Sequence, residues 1–314
     1  MEIKDVDIRS LLSAYDKRNI LDIKKVSFKG VEGRDVYNIT APFYSNGDEY
    51  IAGRVEPREN EVESRIMFFV KKDDIWILDK TSPVFHMQDP FVCIINDELI
   101  FGGVEITLEH DAINYSTVFF RGKDIHNLER FAKGPCGMKD IRLILLPQDN
   151  IGVFTRPQGV IGGKGRIGFM DIASIDDLSR LEDKDYFAAP LLKDDFHYDE
   201  WLGVNAVYIL KNGLVGVLGH IACCTEDAEK KSCKNYYPIT FVLDIRTNTS
   251  IGMKIIAIRD DFPVGEAKDK TLRNVLFPGG IVRHDDGTAT MYAGASEAES
   301  YEVKLIDPFL EYEK

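Results

Sequence analysis

The chain has 314 residues, 44% hydrophobic and 29% charged, a composition that suits a folded globular protein with a substantial core. Its formal charge of −13 argues against a nucleic-acid partner, because phosphate-backbone binding needs a basic footprint, yet it leaves room for a local basic pocket. No stretch approaches the roughly 20 apolar residues of a membrane span, and the five cysteines lack framework spacing, so a soluble protein of a reducing cytoplasm is expected.

The first residues, MEIKDVDIRSLLSAYDKRN, are too charged for the apolar region of a signal peptide. Residues 1–21 read as a short helical lead-in, and DIKKVSFKG (22–30) reads as a strand. Five hairpins follow at intervals of roughly 50 to 75 residues: VYNITAPFYSNGDEYIAGRVE (36–56), FHMQDPFVCIINDELIFGGVE (85–105), GMKDIRLILLPQDNIGVFTRPQ (137–158), WLGVNAVYILKNGLVGVLGHIA (201–222) and VLFPGGIVRHDDGTATMYAGASE (275–297). Each runs from a polar or glycine-containing head through an apolar strand and an Asn-, Asp- or Gly-rich turn into a second apolar strand.

Between them, SRIMFFVKKDDIWILDK, STVFFRGKDIHNLERFA and RIGFMDIASIDDLSRLED each supply a further strand and a charged turn, then a strand or short helix. Hairpin plus hairpin makes four antiparallel strands, and five such units make an all-β, five-bladed β-propeller. The segments 22–30 and 300–307 are the candidates to pair and close it, and no linker divides the chain, so residues 1–314 are expected to form a single domain.

In a propeller the innermost strands line the axis, so repeated polar residues at equivalent places converge there. Asn38, Asp89, Asp140 and Asn205 stand at the heads of first strands. Arg54 with Glu56, Gly103 with Glu105, Arg156 with Gln158, His220 with Ala222, and Ala295 with Glu297 share faces near the ends of second strands by strict alternation. A pocket rimmed by carboxylates, arginines and a histidine follows.

Two other segments have blander readings. GVIGGKGRIG (159–168) lacks the Gly-Lys-Ser/Thr ending of a phosphate loop and reads as a β-turn. DDFHYDEW (194–201) reads as a loop over the pocket, with Trp201 or Tyr198 as an aromatic sugar platform, or as a plain solvated loop. Cys223 and Cys224 are adjacent, point to opposite faces of a strand, and read as small buried residues rather than as metal ligands with Cys233. No metal site and no cofactor are expected.

QDPFV (88–92), FTRP (154–157), LGH (218–220) and NVLFPGGIVRHDDGTATMYAGASEAE (274–299) resemble, in order and approximate spacing, motifs of glycoside hydrolase family 130, the five-bladed β-mannoside phosphorylases and mannosidases. The chain is also similar to the domain-of-unknown-function family 1861, and its scaffold to the family 43 propellers. The resemblance implies a carbohydrate-active enzyme that cleaves a glycosidic bond with inversion, as a hydrolase or a phosphorylase, on a small-molecule carbohydrate. Asp89 matches the general acid, and Glu297 matches the last-blade aspartate. Arg156 matches a phosphate ligand, with Lys139 near the position of a second and Arg142 as its alternative. Phe91 stands where the family carries arginine.

The nucleophile is either inorganic phosphate held by Arg156, Lys139 and His220, or water activated by Glu56, Glu105 or Glu297; the balance leans slightly to hydrolysis. The catalytic set is then Asp89, Glu297 and Glu105, and the substrate-binding set is Arg54, Glu56, Asp140, Arg156, His220, Asn205 and Trp201. The rival readings are a propeller that binds carbohydrate without catalysis and a scaffold for protein partners, and the sequence does not fix an oligomeric state.

Overall fold

The computed structural model of the chain describes residues 5–109, 112–193 and 195–313, and is mostly β. The strand β1 (Asp5–Val6) precedes the helix α1 (Ile8–Ser13), which starts where the Asp7 carboxylate caps Ser10 N. α1 buries Ile8 and Leu11 against a core containing Leu202, Phe241 and Ile255. β2 (Ile20–Lys25) follows.

Five antiparallel groups of strands come next. The first holds β3 (Phe28–Lys29), β4 (Asp35–Tyr37), β5 (Phe43–Ser45), β6 (Asp48–Glu56), β7 (Arg65–Lys72) and β8 (Ile75–Leu78). Both β4 and β5 pair with β6, β6 pairs with β7 and β7 with β8, while β3 adds parallel to β8. The second is the four-stranded sheet β9 (Gln88–Ile95), β10 (Glu98–Glu109), β11 (Ala112–Gly122) and β12 (Glu129–Lys133).

The third has β13 (Arg142–Leu145) and β14 (Ile151–Thr155), the one-turn helix α2 (Gly159–Gly162), β15 (Gly168–Ile172) and then α3 (Asp183–Ala188). It stops at three strands, short of the four expected. Ser174 and Glu182, each followed three residues later by an aspartate, form capping boxes that start helical turns where a fourth strand would run.

After β16 (Asp195–Phe196), the parallel partner of β1, the fourth group is β17 (Trp201–Ile209), β18 (Val215–Glu226), β19 (Ser232–Asp244) and β20 (Thr249–Ile255). The fifth is β21 (Asn274–Arg283), β22 (Thr288–Ala295) and β23 (Glu299–Ile306), with β2 paired on β23 from Ile20↔Leu305 to Lys25↔Tyr301. A short parallel contact of β19 with β21 joins the last two groups into one sheet.

The chain ends therefore pair, but the expected strand 22–30 is divided. Residues 20–25 close on β23, while Phe28 and Lys29 turn away to β8. The hairpin turns use the residues that the sequence offers. Asn46 and Gly47 have φ of 51° and 86°, and Asn96 and Asp97 have 50° and 62°, as the tight turns of twisted hairpins require.

The first strands form a closed circuit of contacts: β9 touches β6, β13 touches β9, β17 touches β13 and β21 touches β17, while β22 and β23 touch β4. At their heads the backbone is kinked. Asn38, Asp89 and Asp140 have φ of 47°, 51° and 62°, a region that Asn and Asp tolerate better than other residues bearing a side chain. The pairing register slips beside Asp89, beside Asn205 and beside Gly279. At Gly279 a Cβ would lie 1.6 Å from Ile39 O, so only glycine lets the fifth group meet the first.

Among the described residues no helix is long and apolar enough to cross a membrane, and no set of His, Cys, Asp or Glu is arranged to hold a metal ion. All five cysteines have free thiols.

Candidate active site

The kinked heads carry the polar groups. Asp89 is 7% exposed; its Oδ1 accepts from Asn38 Nδ2 at 2.7 Å and lies 3.4 Å from Arg54 Nη1, while its Oδ2 makes no protein hydrogen bond among the described residues. Arg54 also donates from Nε to Glu56 Oε2 at 3.1 Å and to Ser64 Oγ at 3.0 Å. Tyr37 OH and Lys268 Nζ both donate to Glu56 Oε1. Burial works against the Glu56 carboxylate, but Arg54, Lys268 and Tyr37 outweigh it and hold its pKa below the usual value. Lys268 also contacts Glu61, and its Nζ lies 3.6 Å from Glu297 Oε2. Through Lys268 the fifth group is tied to the first, and Glu297 joins the Arg54–Glu56 network.

A second cluster surrounds Asp140, which is 1% exposed and has neither carboxylate oxygen hydrogen-bonded. Burial would raise its pKa, but Arg156, Lys139, His220 and Arg142 lower it to about 2. Arg156 Nε lies 3.5 Å from Asp140 Oδ2 and donates to Leu202 O at 2.6 Å, and its buried Nη1 has no partner. Burial disfavours the Lys139 cation, yet Asp140 first and Asp89 next keep its pKa raised. Lys139 thus lies within the fields of both carboxylates and links the two clusters.

His220 is 1% exposed, and its Nδ1 is 2.8 Å from Asn205 Oδ1. Burial, seconded by Arg156, Lys139 and Arg142, pushes its pKa down to about 3 against the pull of Asp140, so the ring is neutral at pH 7. An amide oxygen facing Nδ1 requires the Nδ1–H tautomer and leaves Nε2 as an acceptor. Gly203 permits this approach, since a Cβ there would lie 2.4 Å from His220 Cε1 and 2.9 Å from Asp140 Oδ2.

The expected site residues therefore fall in distinct places. Arg54, Glu56, Asp89 and Glu297 share one network, and Asp140, Arg156, Lys139, His220 and Asn205 share the other. Trp201 is 8% exposed and packs edge-on against Tyr236, whose ring lies 5.3 Å from His220, so it supports the site from behind rather than offering a face. Glu105 pairs with Arg130 at 2.7 Å and Lys133 at 3.5 Å, on the outer strand of its own sheet.

The glycine-rich segment 159–168 begins with α2 rather than a simple turn, and Gly165 lies flat on the Arg156 guanidinium, where a Cβ would come within 2.7 Å. Lys268, Tyr37, Ser64 and Tyr236 were not anticipated. Only Tyr37, next to a strand head, carried a signal that could have found it.

Chemically, the first cluster orients one carboxyl group with a free oxygen. The second sets three cations, Lys139, Arg156 and Arg142, around one buried carboxylate, an excess of positive charge that suits an anion.

The sequence profile of one family, described as a protein of unknown function (DUF1861), matches residues 13–311, so the chain belongs to that family. Among solved structures the chain is similar to MPT-4, a mannose phosphorylase from Leishmania mexicana in complex with a phosphate ion, at 32% identity with a TM-score of 0.89 over 98% of this chain and 95% of that one. It is also similar to MPT-1, a GDP-Man-dependent mannosyltransferase from Leishmania mexicana, at 33% identity with a TM-score of 0.85 over 96% and 93%. A β-1,2-mannobiose phosphorylase from Listeria innocua shares the fold at 14% identity and a TM-score of 0.58 over 90% and 93%. No curated protein matches.

Proposed function

We propose that this member of that family is a single-domain, five-bladed β-propeller enzyme of mannoside metabolism that cleaves a β-mannosidic bond by phosphorolysis. The circuit of first-strand contacts and the β2–β23 closure support the five blades, with the third blade reduced to three strands. The observation that carries the reaction is the cluster of half-buried Lys139 with buried Arg156 and Asp140, with an unpartnered Arg156 Nη1 beside it. The likeness to a mannose phosphorylase at 32% identity supports phosphorolysis over hydrolysis in this reading.

In this reading a phosphate oxygen, held by Lys139 and Arg156, attacks the anomeric carbon from the face opposite the glycosidic oxygen. Asp89 gives its proton to that oxygen as the C–O bond breaks, and the products are mannose 1-phosphate of inverted configuration and the free acceptor. Neutral His220 accepts from a phosphate or sugar hydroxyl at Nε2. Arg54, Asn38 and Glu56 hold Asp89 and the sugar, and Glu297 borders the same pocket through Lys268. Glu105, engaged by Arg130, has no step in this scheme. Phosphate is thus a co-substrate, not a cofactor.

The second reading, mannosyl transfer from GDP-mannose, is favoured by the relative at 33% identity. Incubation with β-mannosides, with and without phosphate, and separately with GDP-mannose distinguishes them. Mannose 1-phosphate formed only with phosphate supports phosphorolysis. Free mannose at a phosphate-independent rate returns the protein to the hydrolases, and GDP released with acceptor mannosylation makes it a transferase. Sugar binding without turnover on any of them leaves a binding protein.

A further inference from the structure

Residues 5–17 precede the closing strand β2, yet they are anchored at two places that lead to the two polar clusters. β1 lies parallel to β16, and Ile8 N, at the start of α1, donates to Glu200 Oε1 at 2.9 Å. Glu200 is 9% exposed, and its Oε2 has no hydrogen-bond partner among the described residues. At the far end Tyr15 OH donates to Asp261 Oδ2, and Lys17 Nζ lies 3.4 Å from Asp261 Oδ1. The Asp261 side chain is 2% exposed and also accepts from Ile258 N at 3.0 Å. A buried carboxylate is costly without partners, so each anchor supplies a contact that its carboxylate requires.

Each anchor stands a short step from a residue of the site. Two residues after Glu200, Leu202 packs in the same core as Ile8 and Leu11. Its N donates to Gly165 O at 3.0 Å, and its O accepts from Arg156 Nε at 2.6 Å. Asp261 lies near the start of the irregular segment between β20 and β21 that carries Lys268. There Arg259 Nε donates to Ser296 Oγ at 3.0 Å and Lys268 N to Ser296 O at 3.0 Å, beside Glu297, while Lys268 Nζ holds Glu56. One end of the N-terminal segment thus backs the arginine of the second cluster, and the other backs the lysine of the first. The six-residue helix between them is too short to persist alone, so its order comes from these anchors and from Ile8 and Leu11.

We infer that residues 5–17 form a strap that positions both clusters, with Glu200 and Asp261 as positioning residues that act through Arg156 and Lys268. The kinetic side of this inference rests on the proposed phosphorolysis; its structural side does not.

Full-length variants at the two anchors test it. Ile8→Pro removes the donor to Glu200; proline suits the first helical position, and Asp7, with φ of −126° and ψ of 158°, already has the extended backbone that precedes proline. Ile8→Ala, which trims the side chain but keeps the N–H, is its control. Relative to that control, Ile8→Pro should raise the phosphate KM about fivefold or more and leave the sugar KM within about twofold. Tyr15→Phe combined with Lys17→Met releases Asp261, and it carries the test if Ile8→Pro does not fold. This double variant should lower kcat about fivefold or more with the phosphate KM within about twofold, whereas Lys17→Arg should match the natural chain. Hydrogen exchange without substrate gives a second readout. Leu202 N should exchange about tenfold faster in Ile8→Pro and Lys268 N about tenfold faster in the double variant, with the amides of β10 unchanged. Equal changes in both KM values in both variants would show general loosening and overturn the inference, as would unaltered kinetics or unaltered exchange at both amides. Faster exchange at those amides, in a chain whose rate ignores phosphate, would overturn phosphorolysis and leave the strap standing.

Discussion

Asp89 meets two requirements at once: its φ of 51° needs a residue that tolerates the left-handed region, and its carboxyl must stand beside Arg54 and Asn38. Asp89→Asn meets the first and removes the proton donor, so turnover should fall by about 100-fold or more while the unfolding midpoint changes little. Steady-state rates on a good β-mannoside check this, and near-normal turnover would remove Asp89 from the chemistry. His220 gives a pH signature. Its pKa is depressed from 6.5 to about 3 by burial, so between those values the unfolded chain binds the extra proton and the folded one does not. The contribution is complete above pH 6.5 and is lost as the pH falls, by up to about 3 kcal/mol between pH 6.5 and 4.5. Asp140, depressed to about 2, adds a loss of the same sign only below about pH 4. Urea unfolding at pH 7 and 4.5 should show a smaller decline for His220→Gln than for the natural chain; equal declines would mean that the ring is not held neutral.

At the scale of elements, the hairpins were readable because their turns need Asn, Asp or Gly and their strands need apolar runs, and both signals are local. Alternation then placed Arg54, Glu56, Arg156 and His220 on buried faces, and it failed at Glu105 for a definite reason. The register slip beside Asp89 sets Val104 opposite Gln88, as Arg54 is set opposite Tyr37, so the position equivalent to Arg54 is Val104. Glu105 is then one residue off phase and turns towards Arg130. Lys268 was illegible because it sits in an irregular segment between β20 and β21, where no period assigns a side chain a direction. The slip beside Asn205 and the absence of a side chain at Gly203 together admit His220 to Asp140. Gly203→Ala should therefore cost about 1–3 kcal/mol of stability through overpacking, and lower turnover more than an alanine at the exposed Gly213 turn. Thermal melts and rates of the two variants would check it, and a neutral Gly203→Ala would show that the ring and carboxylate can part.

Across the whole molecule, circular closure makes the first and last strands interdependent. β2 covers the edge of β23, Val26 N donates to Ser300 O at 2.9 Å, and Ser300 Oγ donates to Val36 O at 2.8 Å. A chain lacking residues 1–26 should lose cooperative unfolding and aggregate through the bared β23 edge, whereas one lacking 1–16 keeps the closing strand and should remain cooperative. Chemical denaturation and light scattering on the two would decide it, and equal behaviour would mean that closure contributes little. In the proposed reaction a protein of formal charge −13 would receive phosphate where Lys139, Arg142 and Arg156 act on one carboxylate, because contact geometry outweighs a distant net charge.

That gathering is tested most directly by the initial rate of β-mannoside cleavage as phosphate concentration is varied, for the natural chain and for Arg156→Ala. The rate should be saturable in phosphate and fall to zero without it. In the variant the phosphate KM should rise by about tenfold or more, with a smaller change in the sugar KM. A rate that ignores phosphate, or a phosphate KM unmoved by Arg156→Ala, would contradict the account.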